Sequence, residues 1–346
     1  MYHYEGEAKM GSDAYYEGEP LRIGQQWQLL LDNSMVEDRF RLRRVLRPPK
    51  KYPHNPVLTR DRPWEGDSVA HNWVIQDEEW GCYRMWYLCF SRSRYHGAPG
   101  APYFLCYAES EDGVHWEKPL LDVVDVPGYD RTNIVYEGTF YPHIQGPQVW
   151  RDEEEEDGSR RYKMVCVERR PEPDEGMRSG VQMAYSPDGL NWRLDEDERP
   201  LLDYHSDTHN HVVRAPYDGR WLLYCRPILI HAGSPARRRE TLPEGMSARR
   251  HSGRRLSVAT SKDLHNWSFP RTVLYPDERD APDIDQTLVF RAGGSLVMMY
   301  GAMQGDTTGC AEVKLASSGD GVHWHRFHTR EPYIARGDGD RSEEHT

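Results

Sequence analysis

The chain has 346 residues, with 44 Lys and Arg against 56 Asp and Glu and a net charge of −12; its mean hydropathy is −0.86. That balance excludes nucleic-acid binding driven by bulk positive charge, and no run approaches the roughly 20 apolar residues of a membrane span. With no signal-peptide stretch in residues 1–13, a soluble cytoplasmic protein is expected, and 21 Tyr, 11 Trp, 29 Gly and 24 Pro against 7 Phe favour short strands and tight turns.

Residues 1–52 form an N-terminal segment in which 27–32 and 40–46 are strand-like. A unit at 66–120 follows, with strands expected at 69–76, 82–90 and 103–109, and it ends on Ser110-Glu-Asp112-Gly113-Val-His-Trp116. A second unit, 140–196, has strands at 143–150, 162–168 and 181–185 before Ser186-Pro-Asp188-Gly189-Leu-Asn-Trp192. The third, 207–270, has strands at 209–214, 221–226 and 256–260 before Ser261-Lys-Asp263-Leu-His-Asn-Trp267. The fourth, 283–328, has strands at 287–291, 295–300 and 311–316 before Ser318-Gly-Asp320-Gly321-Val-His-Trp324.

The phrase Ser-x-Asp-Gly-x-x-Trp thus occurs four times, with Leu264 replacing Gly in the third copy. Its tryptophans lie 76, 75 and 57 residues apart, which suits a four-stranded blade with a variable loop. Within each phrase the Asp caps its own turn, the Gly supplies φ > 0 and the Trp opens the fourth strand. These residues read as architecture.

Two connections stand apart. Residues 152–157 are all acidic and read as a solvated hairpin tip. Residues 231–255 hold seven arginines, Arg237, Arg238, Arg239, Arg249, Arg250, Arg254 and Arg255, and read either as a surface loop or as a lid for an anionic substrate. The six cysteines sit singly in strand-like runs, without zinc spacing, and read as reduced core thiols.

The four hairpins, with strand pairs such as Tyr83-Arg-Met-Trp-Tyr87 and Tyr162-Lys-Met-Val165, make residues 53–336 resemble the five-bladed β-propeller glycoside hydrolases, the fructosidase-like and arabinanase/xylosidase-like families. The resemblance implies an all-β, five-bladed propeller of four-stranded antiparallel blades over 53–340, and a funnel where inner-strand carboxylates act on a glycan. After Trp324 only 22 residues remain, so the fifth blade is expected to be incomplete, with 27–32 or 40–46 supplying a ring-closing strand. Residues 341–346 resemble a translated sequencing adapter, and the frame is expected to be cut within a longer gene.

Hydrolysis needs a base or nucleophile and a proton donor on opposite sides of the glycosidic bond. The inner strands open with Gly66-Asp67-Ser-Val-Ala-His71-Asn72, His143-Ile-Gln145-Gly146-Pro147, Asp207-Thr-His209-Asn210-His211 and Asp283-Ile-Asp285-Gln286. Gln145 stands where the arabinanase-like families carry a Glu acid, and Asn72 stands near the position of their base. The available carboxyls are Asp67, Glu168, Asp207, Asp283 and Asp285. The expectation is Asp67 as base or nucleophile, Asp285 as acid, and Asp207 orienting the acid or stabilising the cationic transition state. Asn72, His143, Gln145, His209 and Asn210 would bind hydroxyls beside His71 and Asp283, and Trp64 or Trp73 would stack on a sugar face.

The plainer readings stand beside these: Asp67 and Asp207 as turn caps, Asp283 and Asp285 as an exposed loop pair, Glu168 as a partner of Arg169 or Arg170, and His71, His143, His209 and His211 as ordinary buried imidazoles. The expected partner is a carbohydrate substrate, without nucleic acid, membrane, cofactor or metal. A noncatalytic carbohydrate-binding propeller and a glycoside phosphorylase are the alternatives to a hydrolase.

Overall fold

The computed structural model describes residues 25, 27–33, 36, 40–138, 144–172, 176–195, 200–202, 206, 210–216, 218–226, 254–281, 283–303 and 311–336. They form four four-stranded antiparallel sheets, each in simple chain order. The first holds β1 (Ser68–Asp77), β2 (Cys82–Phe90), β3 (Tyr103–Ser110) and β4 (Ile134–Tyr136). The second holds β5 (Ile144–Arg151), β6 (Tyr162–Glu172), β7 (Gly176–Ser186) and β8 (Arg193–Leu194). The third holds β9 (His211–Arg214), β10 (Trp221–Cys225), β11 (Leu256–Ser261) and β12 (Arg271–Leu274), and the fourth β13 (Asp283–Ala292), β14 (Ser295–Met303), β15 (Ala311–Ser318) and β16 (His325–Arg326). No helix among the described residues is long and apolar enough to cross a membrane.

The four repeated phrases are the β3–β4, β7–β8, β11–β12 and β15–β16 connections, and their turns are built alike. In the second, Asp188 Oδ1 accepts the backbone N–H groups of Leu190 and Asn191 at 2.8 Å, and Ser186 Oγ accepts that of Gly189 at 2.8 Å. The Asp bonds recur around Asp112, Asp263 and Asp320, and the Ser bond at Gly113 and Gly321. In the third turn the backbone N–H and side chain of Asn266 hold the Asp263 carboxyl well below the ordinary carboxylate range. Leu264 takes φ 67°, the left-handed conformation of Gly113, Gly189 and Gly321 in the other copies.

The second, third and fourth turns each pack on the sheet before them. Trp86 Nε1 of β2 donates to Gly189 O at 2.7 Å and Arg84 Nη2 to Asp188 O at 2.6 Å, joining the first blade to the second. Tyr224 of β10 donates to Gly321 O at 2.7 Å, joining the third to the fourth. Leu264 instead buries its side chain among Val165, Met183 and Leu223 between the second and third. Three apolar layers fill these spaces: Trp86, Leu88 and Leu105 against Ile144, Val149 and Met164; Val181 and Tyr185 against Val212 and Cys225; Tyr224 and Val258 against Val289 and Met298. These layers make the sheets blades.

A buried ion pair reinforces the first junction. Arg84 and Asp77 are both inaccessible, Nη1 lies 3.1 Å from Asp77 Oδ2, and Tyr162 OH of β6 donates to the same oxygen at 2.5 Å. Burial alone would push the Asp77 carboxyl up, but Tyr162 and Arg84 hold it below its ordinary value.

The structure departs from the expected five blades: four are present among the described residues, and 27–32 and 40–46 are not strands. Phe40, Leu42 and Val45 are exposed, so this stretch has no sheet to pair with. It nevertheless serves the ring, because Leu29, Leu31 and Leu46 cover the outer face of the fourth blade at Val297 and Leu315. The fourth strand of the first blade starts at Ile134 and not at Trp116. The acidic run is also more than a solvated tip, since buried Lys163 binds Asp152 and Glu155 at 2.9 Å and Arg214 of the third blade binds Glu154 at 2.8 Å.

The two ends of the repeat should respond differently to one methyl group. A Cβ on Gly321 would meet Leu222 Cδ1 at 2.2 Å and the Tyr224 hydroxyl at 2.9 Å, whereas one on Gly113 meets nothing nearer than 3.8 Å, with nearly equal φ of 77° and 76°. Gly321→Ala is therefore expected to cost about 1–3 kcal/mol more than Gly113→Ala, read as the difference between their urea unfolding free energies.

Candidate functional site

β1, β5, β9 and β13 are the first strands of their sheets, and they meet across blades, β1 against β5 and β9 against β13; the candidate residues cluster where these strands begin. Three of the four carry a bulge there. Between the pairs Ala70↔Leu88 and Trp73↔Trp86, Gln145↔Val167 and Gln148↔Val165, and Ile284↔Ala302 and Thr287↔Tyr300, the inner strand advances three residues while its partner advances two. A bulge breaks the ladder and re-aims side chains. The extra residues fall at 71–72, 146–147 and 285–286, among the candidate site residues. His71 takes φ 52°, matching φ 53° at Gly146 in the same register of the next blade. A non-glycine residue in that region is uncommon and strained.

Below the bulges, Trp73, Gln148 and His211 occupy one register of three blades, opposite Trp86, Val165 and Tyr224. Gln148 clamps the third blade by donating to Val212 O at 2.8 Å and accepting from Val212 N at 2.6 Å. The Trp73 and His211 rings meet edge to face at 5.2 Å. Burial lowers the His211 pKa to about 4, so its imidazole is neutral, and its Nδ1 has no hydrogen-bond partner among the described residues. Trp73 is half-buried and its ring closes on His211, which makes it part of this floor.

Asp285 is the hub of a second group. Its carboxylate pairs with Arg226, which also donates to its backbone oxygen at 2.8 Å, and Arg254 Nη1 lies 3.1 Å from Oδ1. Arg254 N donates to buried Asp283 at 2.8 Å, Arg226 N to Ser206 Oγ at 3.1 Å, and that hydroxyl to Asn210 Oδ1 at 2.8 Å. These contacts tie the third blade to the fourth at the bulged end. Two guanidinium groups hold Asp285 as an acceptor, which suits charge stabilisation better than the proton donation expected of it. Arg226 was not among the expected site residues, and its only trace in the sequence is an arginine closing an apolar strand.

Asp67 is exposed at the head of β1, where its Oδ2 accepts the backbone N–H of Arg92 at 2.6 Å. This contact fixes one oxygen of an exposed carboxylate. Asn72 is exposed and Gln145 half-buried. Trp64 belongs instead to the core of the first blade, buried against Tyr129 with its indole N–H donated to Asn133 at 2.7 Å, and it offers no face to a sugar. Glu168 is fully buried, accepts from Tyr136, and is turned into the junction of the first two blades. His143, Asp207 and His209 lie outside the described residues, as do five of the seven loop arginines; Arg254 and Arg255 are described. Glu137 was also not expected: burial pushes its carboxyl above the ordinary value, but it follows outermost strand β4, three strands away from β1.

No protein-family model matches the chain. It is 31% identical over 187 residues to an uncharacterized protein of Mycobacterium tuberculosis, Rv1502, a match covering 53% of this chain and 51% of that protein. The chain thus spans about half the length of the curated relatives it matches. Among solved structures it resembles a thermostable family-43 glycoside hydrolase, with TM-score 0.53 and 15% identity over 79% of this chain and 76% of that one. It equally resembles a structure described under the family-130 mannoside phosphorylases as containing glycoside hydrolases that target β-1,2 mannosidic linkages, with TM-score 0.53 and 15% identity over 85% and 82% of the two chains. At such identity the likeness is one of fold: an all-β propeller of antiparallel four-stranded blades.

Two measurements probe the site's electrostatics. Asp285→Asn leaves Arg226, whose side chain is 8% exposed, without its carboxylate, and should lower stability by about 2–3 kcal/mol, less than for a fully buried pair. For His211 the unfolded chain binds a proton below the ordinary value of 6.5 and the folded chain only below about 4. The stability it contributes is present above pH 6.5 and is lost as pH falls toward 4. Between pH 7 and 4.5 the wild type should lose about 2 kcal/mol more than His211→Gln; parallel losses in chemical denaturation would refute the buried neutral imidazole.

Proposed function

We propose that the protein acts on carbohydrate as a glycoside hydrolase of furanosides or related small glycans, at the bulged end of the propeller. The observation that carries this reading is the set of three inner-strand bulges, which take residues 71–72, 146–147 and 285–286 out of their ladders near the start of each strand. The propeller neighbours described as glycoside hydrolases and mannoside phosphorylases support the substrate class. Asp67 is the base or nucleophile, because its carboxylate is exposed and one oxygen is already fixed by the Arg92 amide. Asp285, held between Arg226 and Arg254, stabilises the cationic transition state through its negative charge. The proton donor is then assigned to Asp207, the remaining aspartate of the sequence pattern, in exchange for the orienting role. Asn72 and Gln145 bind hydroxyls, together with His143 and His209.

A second reading has a specific observation behind it. Gln145 cannot donate a proton as an acid does, and Asp285 is engaged by two arginines, so the same surface would suit a noncatalytic carbohydrate-binding propeller. A phosphorylase would need phosphate in place of water.

The test is turnover on a panel of aryl furanosides and pyranosides, with and without inorganic phosphate. Asp67→Asn and Asp207→Asn should each lower kcat by about 10²–10⁴-fold while melting as the wild type does. Wild-type turnover in either variant removes that residue from the chemistry. Glycans bound but never cleaved select the binding reading, and cleavage that requires phosphate selects the phosphorylase.

A further inference from the structure

The first blade carries a cavity beside its bulge that none of the expected site residues explains in full. It holds about 150 Å³ and lies between residues 55–58, which precede the propeller, and the face of β1 and β2. Asn55, His71 and Asn72 supply its polar groups, and Val57, Leu58 and Met85 much of its apolar wall. None of the residues lining it is an acid, a lysine or an arginine. Tyr87 contributes only its ring, since its hydroxyl donates to Glu65 at 2.7 Å and accepts from Asn133 at 2.7 Å.

The wall is fixed in advance. Glu65, fully buried, accepts the backbone N–H groups of Asp61 and Arg62 at 2.8 and 2.9 Å. Lys118 Nζ binds Glu65 Oε1 at 2.6 Å, Asp61 Oδ1 at 2.8 Å and Thr59 O at 2.7 Å. The segment carrying Asn55 and Val57 is therefore anchored one residue beyond the cavity, at Thr59. On the other side, the left-handed backbone at His71 sets the course of the strand where His71 and Asn72 line the space.

A lining of two amides and an imidazole over an apolar floor, without acid, lysine or arginine, matches a neutral polyhydroxylated ring, whose C–H faces are apolar and whose hydroxyls both donate and accept. The volume is about half that of the smallest usual ligand pockets of roughly 300 Å³, so there is room for one ring and not two. We propose that this cavity is a subsite for a single neutral monosaccharide unit at a chain terminus, so that the protein engages glycans from their ends. The inference rests on the carbohydrate reading and adds to it the size and charge of the unit bound, and a wall at residues 55–58.

The experiment is direct binding by calorimetry and ligand-observed NMR, using L-arabinose, D-xylose, D-fructose and D-mannose as neutral probes and D-glucuronate as the charged one. Wild type should bind at least one neutral sugar and bind D-glucuronate at least tenfold more weakly. Val57→Trp, which fills the space, and Asn55→Ala, which removes an amide, should each weaken the neutral sugar tenfold or more while melting as the wild type does. Neutral-sugar binding that both variants leave unchanged overturns the subsite and leaves the carbohydrate reading standing. Preference for D-glucuronate also overturns the subsite alone. If no sugar binds and no member of the glycoside panel is bound or cleaved, both fall.

Discussion

The geometry of the propeller depends on a turn that satisfies its own amides and leaves a carbonyl for its neighbour. In each repeated phrase the Asp carboxylate and Ser hydroxyl take up the N–H groups of the reversal. A left-handed residue then turns its carbonyl outward. At Gly189 that oxygen meets Trp86 of the preceding blade, and at Gly321 it meets Tyr224. Because the turns share one internal bond pattern, successive sheets dock at the same point on each other. The third copy reaches a similar end by another route, since Leu264 fills the space with an apolar side chain at φ 67°. The first copy has no earlier blade to meet among the described residues, and Gly113 O accepts only from its own Trp116, at 3.2 Å.

Fixing the blades at their far ends also fixes the inner strands at the axis, where polar chemistry becomes possible. Gln148 can reach Val212, and Trp73 can reach His211, only if the sheets hold one mutual rotation, and the two-point bond from Gln148 to Val212 has little tolerance. Above that floor the ladders are broken by bulges, so backbone groups and side chains that would have served the sheet are released. The two junctions at the bulged end are unlike. The first blade presents an exposed carboxylate at Asp67 and an imidazole and an amide at His71 and Asn72. The third and fourth present an ion-paired patch around Asp285, Arg226 and Arg254.

Much of the fold was legible because a turn is a local object. Asp112, Asp188, Asp263 and Asp320 announce themselves through spacing alone, and β2 runs from Cys82 to Phe90 as its aromatic pattern suggests. Bulges were not legible, because a bulge is a difference between two strands and one strand's sequence does not contain it. The match between His71 and Gly146 would have been the clue, since glycine in one blade marks a backbone that the other must also adopt. Asp285 was named from the sequence and its partners were not: Arg226 is 59 residues away, and nothing in a strand of Trp, Leu, Tyr and Cys indicates which way its terminal arginine turns. The strand-like run at 40–46 had the composition of a strand without a neighbour, and pairing requires both.

The covering of the two end blades ties the fold back to the candidate subsite. An internal blade buries both faces against other blades, but the first and fourth each have one face that meets no other sheet among the described residues. On the fourth, Leu29, Leu31 and Leu46 lie over Val297 and Leu315, pinned where Gly294 N donates to Trp27 O at 3.2 Å and Ser317 Oγ to Asp32 at 2.5 Å. On the first, Leu58, Val124 and Tyr129 lie over Tyr87, Cys89 and Cys106. Irregular chain covers a flat sheet less evenly than another sheet does, because its side chains do not repeat at the strand spacing. The gap left at residues 55–58 falls beside the His71 bulge, where the sheet surface is itself irregular. The cavity therefore arises where an irregular cover meets an irregular strand; the cover is held by Glu65 and Lys118, which do not line it, and the strand by the β1–β2 ladder.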